Sequence, residues 1–528
     1  MSRFSPEIRS NTQVSNWVQA YKNPVSGIRS DIPWIRPKDW VTLPTLSPGD
    51  QKIVGIVPIY EGDTNYVAFT MSGNYTVDWG DGTTDNWTAA TTASKTLLWA
   101  SYDASTLTSQ GYRQAIVTIT PQSGQNLTSV NFDVVGNQTN GKYAARWIEI
   151  NVAGANITSM TVSQDTSNLR WYMLQKFAFF GTCALTGMNY MFKECTGLRE
   201  VDMRTTSSVT SWFNTFRSCY AVTNIMINTT AATSFNNTFY ACTLIQSVYI
   251  PNLPALTSLS GSFTYCTTLQ YVNLPYTPLL NNVSTTFSSC YLLQYVNIPR
   301  TQLVTTFANA FESCQSLRNI TLNADAATNM SFMFYGCSIL ESASIKNMNG
   351  ANINASNMFA SCSKMFKLPD IDFTKIQNAS NMFTSAESLT NVTINSGATF
   401  STCTNMFRGC TNLQKITFPA NYVTTNMSNM FLGCSSLQEV IGLVGTNTTA
   451  SSGYSNMFSS CFSVQRITAT NMKYTHSIES MQLNGTQLDA YYTALPTIVS
   501  QTLTVTGNWG TATDTPSIAT AKGWTVTG

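Results

Sequence analysis

"CTTLQYVNL" (residues 266–274) is followed 24 residues later by "CYLLQYVNI" (290–298). A cysteine leads each stretch, and a Phe stands three residues before each cysteine. Working outward, the same Phe recurs at 192, 216, 239, 263, 287, 311, 334, 359, 383, 407, 431 and 458. A Cys follows three residues later in eleven of these twelve; the exception is Ala386. Behind it runs Leu-x-x-Val-x-Ile, as in "FESCQSLRNITL" (311–322) and "FRGCTNLQKITF" (407–418). A period in the twenties is the mark of a solenoid. The closing alternation is strand-like, so each coil supplies one short strand, and stacked coils build a parallel sheet. No coil can bury its own apolar face, so each needs a neighbour. At about 4.8 Å per strand, twelve coils span on the order of 55 Å. The expected fold class is mainly β.

The cysteines invite a disulfide framework or a metal site, and their spacing speaks against both. Zinc sites want ligands two to four residues apart, whereas most of these stand one coil apart, and the chain has a single histidine. Stacked side chains project in parallel, so a ladder of this kind cannot pair fully. The remaining reading is a small buried hydrophobe with a weak S–H donor. Ala386 supports it, since that slot accepts a residue with no thiol chemistry. No metal and no cofactor is expected.

A chain of 528 residues is too long for one core. Only 10% of residues are charged, against about a quarter in ordinary domains, so Asn, Thr, Ser and Gln must solvate the surface. Net charge is +2 with no basic run, which excludes a nucleic-acid groove as the expected partner site. No stretch approaches the roughly 18 apolar residues of a membrane span. The amino terminus shows no apolar h-region, so export by the general secretory route is not expected unless a signal was removed.

Residues 1–50 carry Pro6, Pro24, Pro33, Pro37, Pro44 and Pro48 together with Trp17, Trp34 and Trp40. Proline at that density forbids a regular helix or central strand. "PWIRPKDW" (33–40) is too aromatic for a solvated linker. Two readings fit: an extended arm that docks on another protein through Trp17, Trp34, Arg36 and Trp40, or an arm that packs on its own sandwich domain. "NYTVDWGDGTTDNW" (74–87) reads as a strand and a tight hairpin, with "GYRQAIVTITPQ" (111–122) as a returning strand. Asp78, Asp81 and Asp85 have the oxygen chemistry for Ca²⁺; the simpler reading is that Asp81 closes its own turn.

No active site is legible. Nucleophilic triads would depend wholly on His476, and a lone His is usually a surface or capping residue. No P-loop or dinucleotide fingerprint occurs. The acids on strand-facing positions, chiefly Glu200, Asp202, Glu341 and Glu439, are too sparse to suggest a glycosidase pair.

"NMSNMFLGCSSLQEV" (426–440), "NMSFMFYGCSIL" (329–340) and "SNMFASCSKM" (356–365) resemble BspA-like leucine-rich repeats over roughly 170–528. The resemblance implies a leucine-rich-repeat solenoid in a protein that binds or displays, as in bacterial surface proteins and some phage proteins. The Trp-Gly-Asp-Gly turn resembles a PKD-type immunoglobulin-like sandwich, and residues 483–528 resemble the segment that often closes such arrays. The organisation expected is an extended attachment arm (1–50), a PKD-like β-sandwich (51–165), a leucine-rich-repeat solenoid (166–480) and a carboxy-terminal capping segment (481–528).

The x positions of Leu-x-x-Val-x-Ile face outward. In three successive coils they give Gln246, Ser247 and Tyr249, then Gln270, Tyr271 and Asn273, then Gln294, Tyr295 and Asn297. This neutral strip, expected on a concave face, suits a sugar or a neutral protein surface better than an anion. Its recurrence has two candidate causes, recent duplication or a repeated binding surface. The resulting expectation is a non-enzymatic phage virion surface protein, a tail fibre or capsid decoration. It would attach to other virion proteins through its arm and contact host glycan, host protein or a second subunit. The alternatives are a bacterial adhesin and, behind it, a depolymerase. No nucleic acid and no membrane insertion are expected.

Overall fold

The computed structural model describes residues 27–30, 34–134, 146–163, 171–250, 252–395, 397–419, 422–445 and 451–528. The chain is mainly β. Its α-helices among the described residues are Gly485–Ala494 and Ser517–Thr520, both near the carboxy end.

The repeat forms the solenoid that its period dictates. Strands Lys176–Phe180, Glu200–Met203 and Asn224–Ile227 pair in parallel, with Val201 opposite Phe177 and Ile225. Ser247–Tyr249, Tyr271–Asn273 and Tyr295–Asn297 do the same through Val248, Val272 and Val296. Asn319–Asn323 pairs with Ser342–Lys346, and a last ladder joins Asn391–Thr393, Lys415–Thr417, Glu439–Val444 and Arg466–Thr470. A second, thinner ladder of single bridges runs through Ser211, Ser234, Ser258, Asn282, Thr306, Asn329 and Asn354.

The opposite wall is a column of aromatic rings. From Phe192 to Phe458 successive phenylalanines stack nearly parallel, for example Phe263 on Phe287 at 5.7 Å and 6° and Phe287 on Phe311 at 5.4 Å and 20°. Beside the column runs the thiol ladder. From Cys219 onward each Sγ that stands three residues after a column Phe donates to the Phe carbonyl of the coil before, as Cys266 does to Phe239 O (3.1 Å) and Cys290 to Phe263 O (3.1 Å).

Two tight corners per coil explain the polar letters of the motif. The residues two before and two after each Phe have positive φ in all twelve coils, for example Asn405 (57°) and Gly409 (71°), or Asn309 (56°) and Ser313 (58°). That region excludes most L-residues but admits Gly and, at lower cost, Asn. The recurrent Asn-x-Phe-x-Ser/Gly-Cys is therefore a backbone requirement rather than a surface preference.

The sheet holds one strand from outside the array. Gly27–Arg29 runs antiparallel between Asn224–Ile227 and Ser247–Tyr249, with Ile28 across both Ile225 and Val248. Two successive coil strands are thus two spacings apart, roughly 9–10 Å, while Ser234 and Ser258 of the same coils still bridge directly. The strand side is the longer side here.

Ahead of the array, two sheets sandwich an aromatic core. Phe69 packs at 5.9 Å from Trp79, 6.1 Å from Trp147 and 6.2 Å from Phe132. Lys52–Tyr60, Tyr112–Pro121, Tyr75–Asp78 and Thr84–Trp87 form one sheet; Tyr66–Met71, Thr92–Thr96, Ser129–Asn131 and Ser159–Thr161 form the other. The first sheet does not stop at the array. Glu149–Ala153 pairs with Lys52–Tyr60 on one side and Lys176–Phe180 on the other, so the sheet runs unbroken across the boundary expected at 165.

Candidate functional site

The outward strip forms, and its residues meet. Tyr271 and Tyr295 stack at 4.8 Å with planes 8° apart. Asn297 Nδ2 donates to Asn273 Oδ1 at 2.8 Å. Tyr249 stands opposite Asn273, and Ser247 opposite Tyr271. Gln294 and Tyr295 are exposed, whereas Gln246, Tyr249, Gln270, Tyr271, Asn273 and Asn297 are half-buried. The lower end of the strip is covered in part by the inserted strand, since Ser247 is buried and its hydroxyl reaches Arg29 O. What remains open is a flat aromatic face at Tyr295 with amide groups beside it, which can stack on a sugar ring or a planar group and hydrogen-bond its edge.

The coils that carry this site also expose more apolar side chains than sequence reading anticipated. Of eighteen large hydrophobic or aromatic side chains exposed among the described residues, nine fall between residues 220 and 303. Tyr291 and Leu292 precede the strand of Tyr295; Tyr276 and Leu279 follow that of Tyr271. Arg300 lies over the Tyr276 ring at 5.0 Å. The signal was present at the two positions after Cys, where this segment carries Tyr220, Leu244, Tyr291 and Leu292 and most other coils carry Ser, Thr or Asn.

The arm residues lie elsewhere. Trp17 is outside the described residues. Trp40 is 4% exposed, and its Nε1 donates to Tyr112 Oη at 2.8 Å. Arg36 donates to Glu149 Oε2 (2.7 Å) and to the carbonyls of Trp40 and Val41, and Trp34 packs on Trp40 at 5.8 Å. From Trp34 on, the arm follows the second reading and packs on the sandwich sheet; Gly27–Arg29, set between two coils of the array, follows neither. These side chains are engaged within their own chain, because a Pro-rich stretch without internal pairing still has to bury its tryptophans.

The acidic turn uses its carboxylates locally. Asp81 accepts from Thr83 N (3.0 Å) and pairs with Lys95 (2.8 Å), Asp78 accepts from Gly80 N, and Asp85 accepts from Trp79 Nε1. Among the described residues no group of His, Cys, Asp and Glu is arranged to hold a metal.

His476 is not at the surface. It is 5% exposed, between Tyr474 O at 2.7 Å and Tyr491 Oη at 2.7 Å. The carbonyl can only accept, so Nδ1 carries the proton and Nε2 accepts from Tyr491. Burial holds the imidazole down at about 4, and it is neutral.

The thiols are free, and twelve of the thirteen are buried. Burial pushes them up, Cys337 and Cys461 to about 12. Alkylation of the folded protein at pH 8 is expected to reach Cys183 alone, the one half-buried thiol, and denaturation without reductant to release all thirteen. Disulfides in the denatured, unreduced protein would sink the packing ladder.

A family model for the BspA-type leucine-rich repeat region, in six copies, matches between residues 174 and 494. Comparison with curated proteins found no match. Among solved structures, a leucine-rich cell surface protein from Faecalibacterium prausnitzii is 14% identical with a TM-score of 0.31, over 65% of this chain and 90% of that one. A leucine-rich repeat protein from Eubacterium ventriosum is 13% identical with a TM-score of 0.26, over 62% and 93%. An internalin from Listeria monocytogenes is 11% identical with a TM-score of 0.20, over 76% and 86%. With the family model covering more than half of its length, the chain belongs to the BspA-type leucine-rich repeat family.

Proposed function

We propose that the chain is a non-enzymatic surface-display protein whose repeat array binds through the face around Tyr271 and Tyr295. The observation that carries this is the concentration of exposed aromatic and apolar groups between 220 and 303 in a surface otherwise solvated by neutral polar side chains. Single exposed hydrophobes are ordinary; nine of them on the coils that also carry a stacked tyrosine pair support a contact surface. The ligand is a neutral one, a host glycan or an uncharged protein face. Display on a phage virion is the first setting, and a bacterial cell surface the second. Host-contact and attachment roles belong to this reading.

Tyr271→Ala combined with Tyr295→Ala is expected to leave the thermal midpoint within a few degrees, because both rings stack on the outside of the sheet, and to cut adsorption to host cells or incorporation into particles. Unchanged adsorption and incorporation would leave duplication as the sole cause of the repeat's near-identity. Mass spectrometry of purified virions separates the two settings.

A further inference from the structure

Two gaps interrupt the strand ladder within the first half of the array, and they match. In unbroken coils the N–H after the core Leu bonds the equivalent carbonyl of the coil before: Gln270 N to Gln246 O (2.8 Å), Gln294 N to Gln270 O (3.0 Å). At the first gap Gln246 N turns instead to Arg29 O (2.9 Å), and Thr223 O accepts from Ser30 N (2.7 Å). The second gap lies between Tyr295–Asn297 and Asn319–Asn323. There Arg318 N and Gln294 O have no backbone partner among the described residues. In both gaps the thin ladder stays closed, through Ser234 with Ser258 and Thr306 with Asn329. In both a threonine hydroxyl ties the coils beyond the strand, Thr229 to Asn252 O (3.5 Å) and Thr301 to Asn323 O (2.6 Å). The second gap also uncovers the core. Val201, Ile225, Val248 and Val272 are 0% exposed at the central strand position, whereas Val296 is only half-buried.

We propose that this second gap is a docking slot for one extended strand of a partner protein, entering antiparallel, with a small residue, a β-branched residue and a basic residue in succession. The first gap shows what such a slot accepts, since Gly27–Arg29 fills it. Aligning the coils on their phenylalanines (216 with 287, 239 with 311) sets Val296 and Ile320 where Ile225 and Val248 flank Ile28. It sets Tyr295 and Asn319 where Asn224 and Ser247 flank Arg29. A β-branched side chain would cover Val296, and a guanidinium would find the face of Tyr295, which is 48% exposed. Backbone pairing supplies affinity and the alternate side chains supply selectivity, as in strand addition to any open sheet edge. This slot does not depend on the surface-display reading.

The probe is a fluorescent peptide of residues 24–33, PVSGIRSDIP, titrated into the full chain and followed by anisotropy. Saturable one-to-one binding is expected. It should weaken roughly tenfold or more with Ile28→Asp in the peptide, or with Val296→Asp in a chain whose circular dichroism is unchanged. Tyr295→Ala in the chain and Arg29→Ala in the peptide should each weaken binding and should not add. Absence of saturation near 1 mM overturns the proposal. So does binding lost with Val248→Asp but kept with Val296→Asp, which would put the peptide in the first gap. Self-association of the free chain that Val296→Asp abolishes would make the occupant a second copy and overturn the foreign partner.

Discussion

Phe287→Ala lowers the unfolding free energy by about 3–5 kcal/mol, whereas Cys290→Ala in the same coil costs about 1–2 kcal/mol. Phe287 is fully buried between Phe263 and Phe311, so its removal strips a ring face from both neighbours and opens a void in the column. In a nearest-neighbour array the damage also concentrates at one interface, so the denaturant transition broadens or splits there. The cysteine is different. Its Sγ–H reaches Phe263 O (3.1 Å), but that carbonyl keeps the N–H of Cys266 at 3.0 Å. The array already contains the outcome: Ala386 stands in the thiol position, and Phe359 O is left with Cys362 N alone. Urea unfolding of the two variants checks this, and losses equal within about 1 kcal/mol would show that the column is no more important than its lining.

The carboxy-terminal cap loses stability as pH falls from about 6.5 to about 4. His476 titrates near 4 in the folded chain because it is buried, against an ordinary 6.5. Above 6.5 both folded and unfolded chains hold it neutral, and its contribution is full. Between the two values the unfolded chain takes up a proton that the folded chain refuses, so stability drops with each step down, by about 3 kcal/mol in all. Below about 4 the loss levels off. The geometry agrees, since a proton on Nε2 would face the hydroxyl of Tyr491 and remove its acceptor. Acid acts on the rest of the chain as well, so the measurement is a difference. The stability gap between the native chain and His476→Gln, from denaturation at pH 7.5 and 4.5, is expected to shift in favour of the variant at the lower pH. A gap that stays constant would mean that protonated His476 is accommodated.

The period, the Phe and Cys walls and the meeting of Tyr271 with Tyr295 were legible because a solenoid turns sequence spacing directly into spatial contact. The corners were legible too, in the Asn two residues before Phe and the Ser or Gly two after, but only once a backbone reason for them is sought. Distant pairings were not legible. Trp40 finds Tyr112, and Arg36 finds Glu149, across separations of 72 and 113 residues that no local pattern encodes. Gly27–Arg29 is too short to show periodicity at all. His476 was misjudged because its burial depends on Tyr491 and on Trp524, which packs against it at 5.6 Å.

The inserted strand sets a ruler on how the gene can change length. One end is fixed where Ile28 meets Val248, the other where Arg36 meets Glu149. Eight residues reach at most about 29 Å, and the four strand spacings between these points already take about 19 Å. Unequal recombination can therefore insert no more than a coil or two before residue 247 without tearing the strand from its place. Beyond Tyr249 no such limit applies. Each coil there is tied to the next by the same stacked ring and, at every coil but that of Ala386, the same thiol, so whole coils can be gained or lost while fractions of one cannot. The twin stretches at 266 and 290 fall on the permitted side of that line.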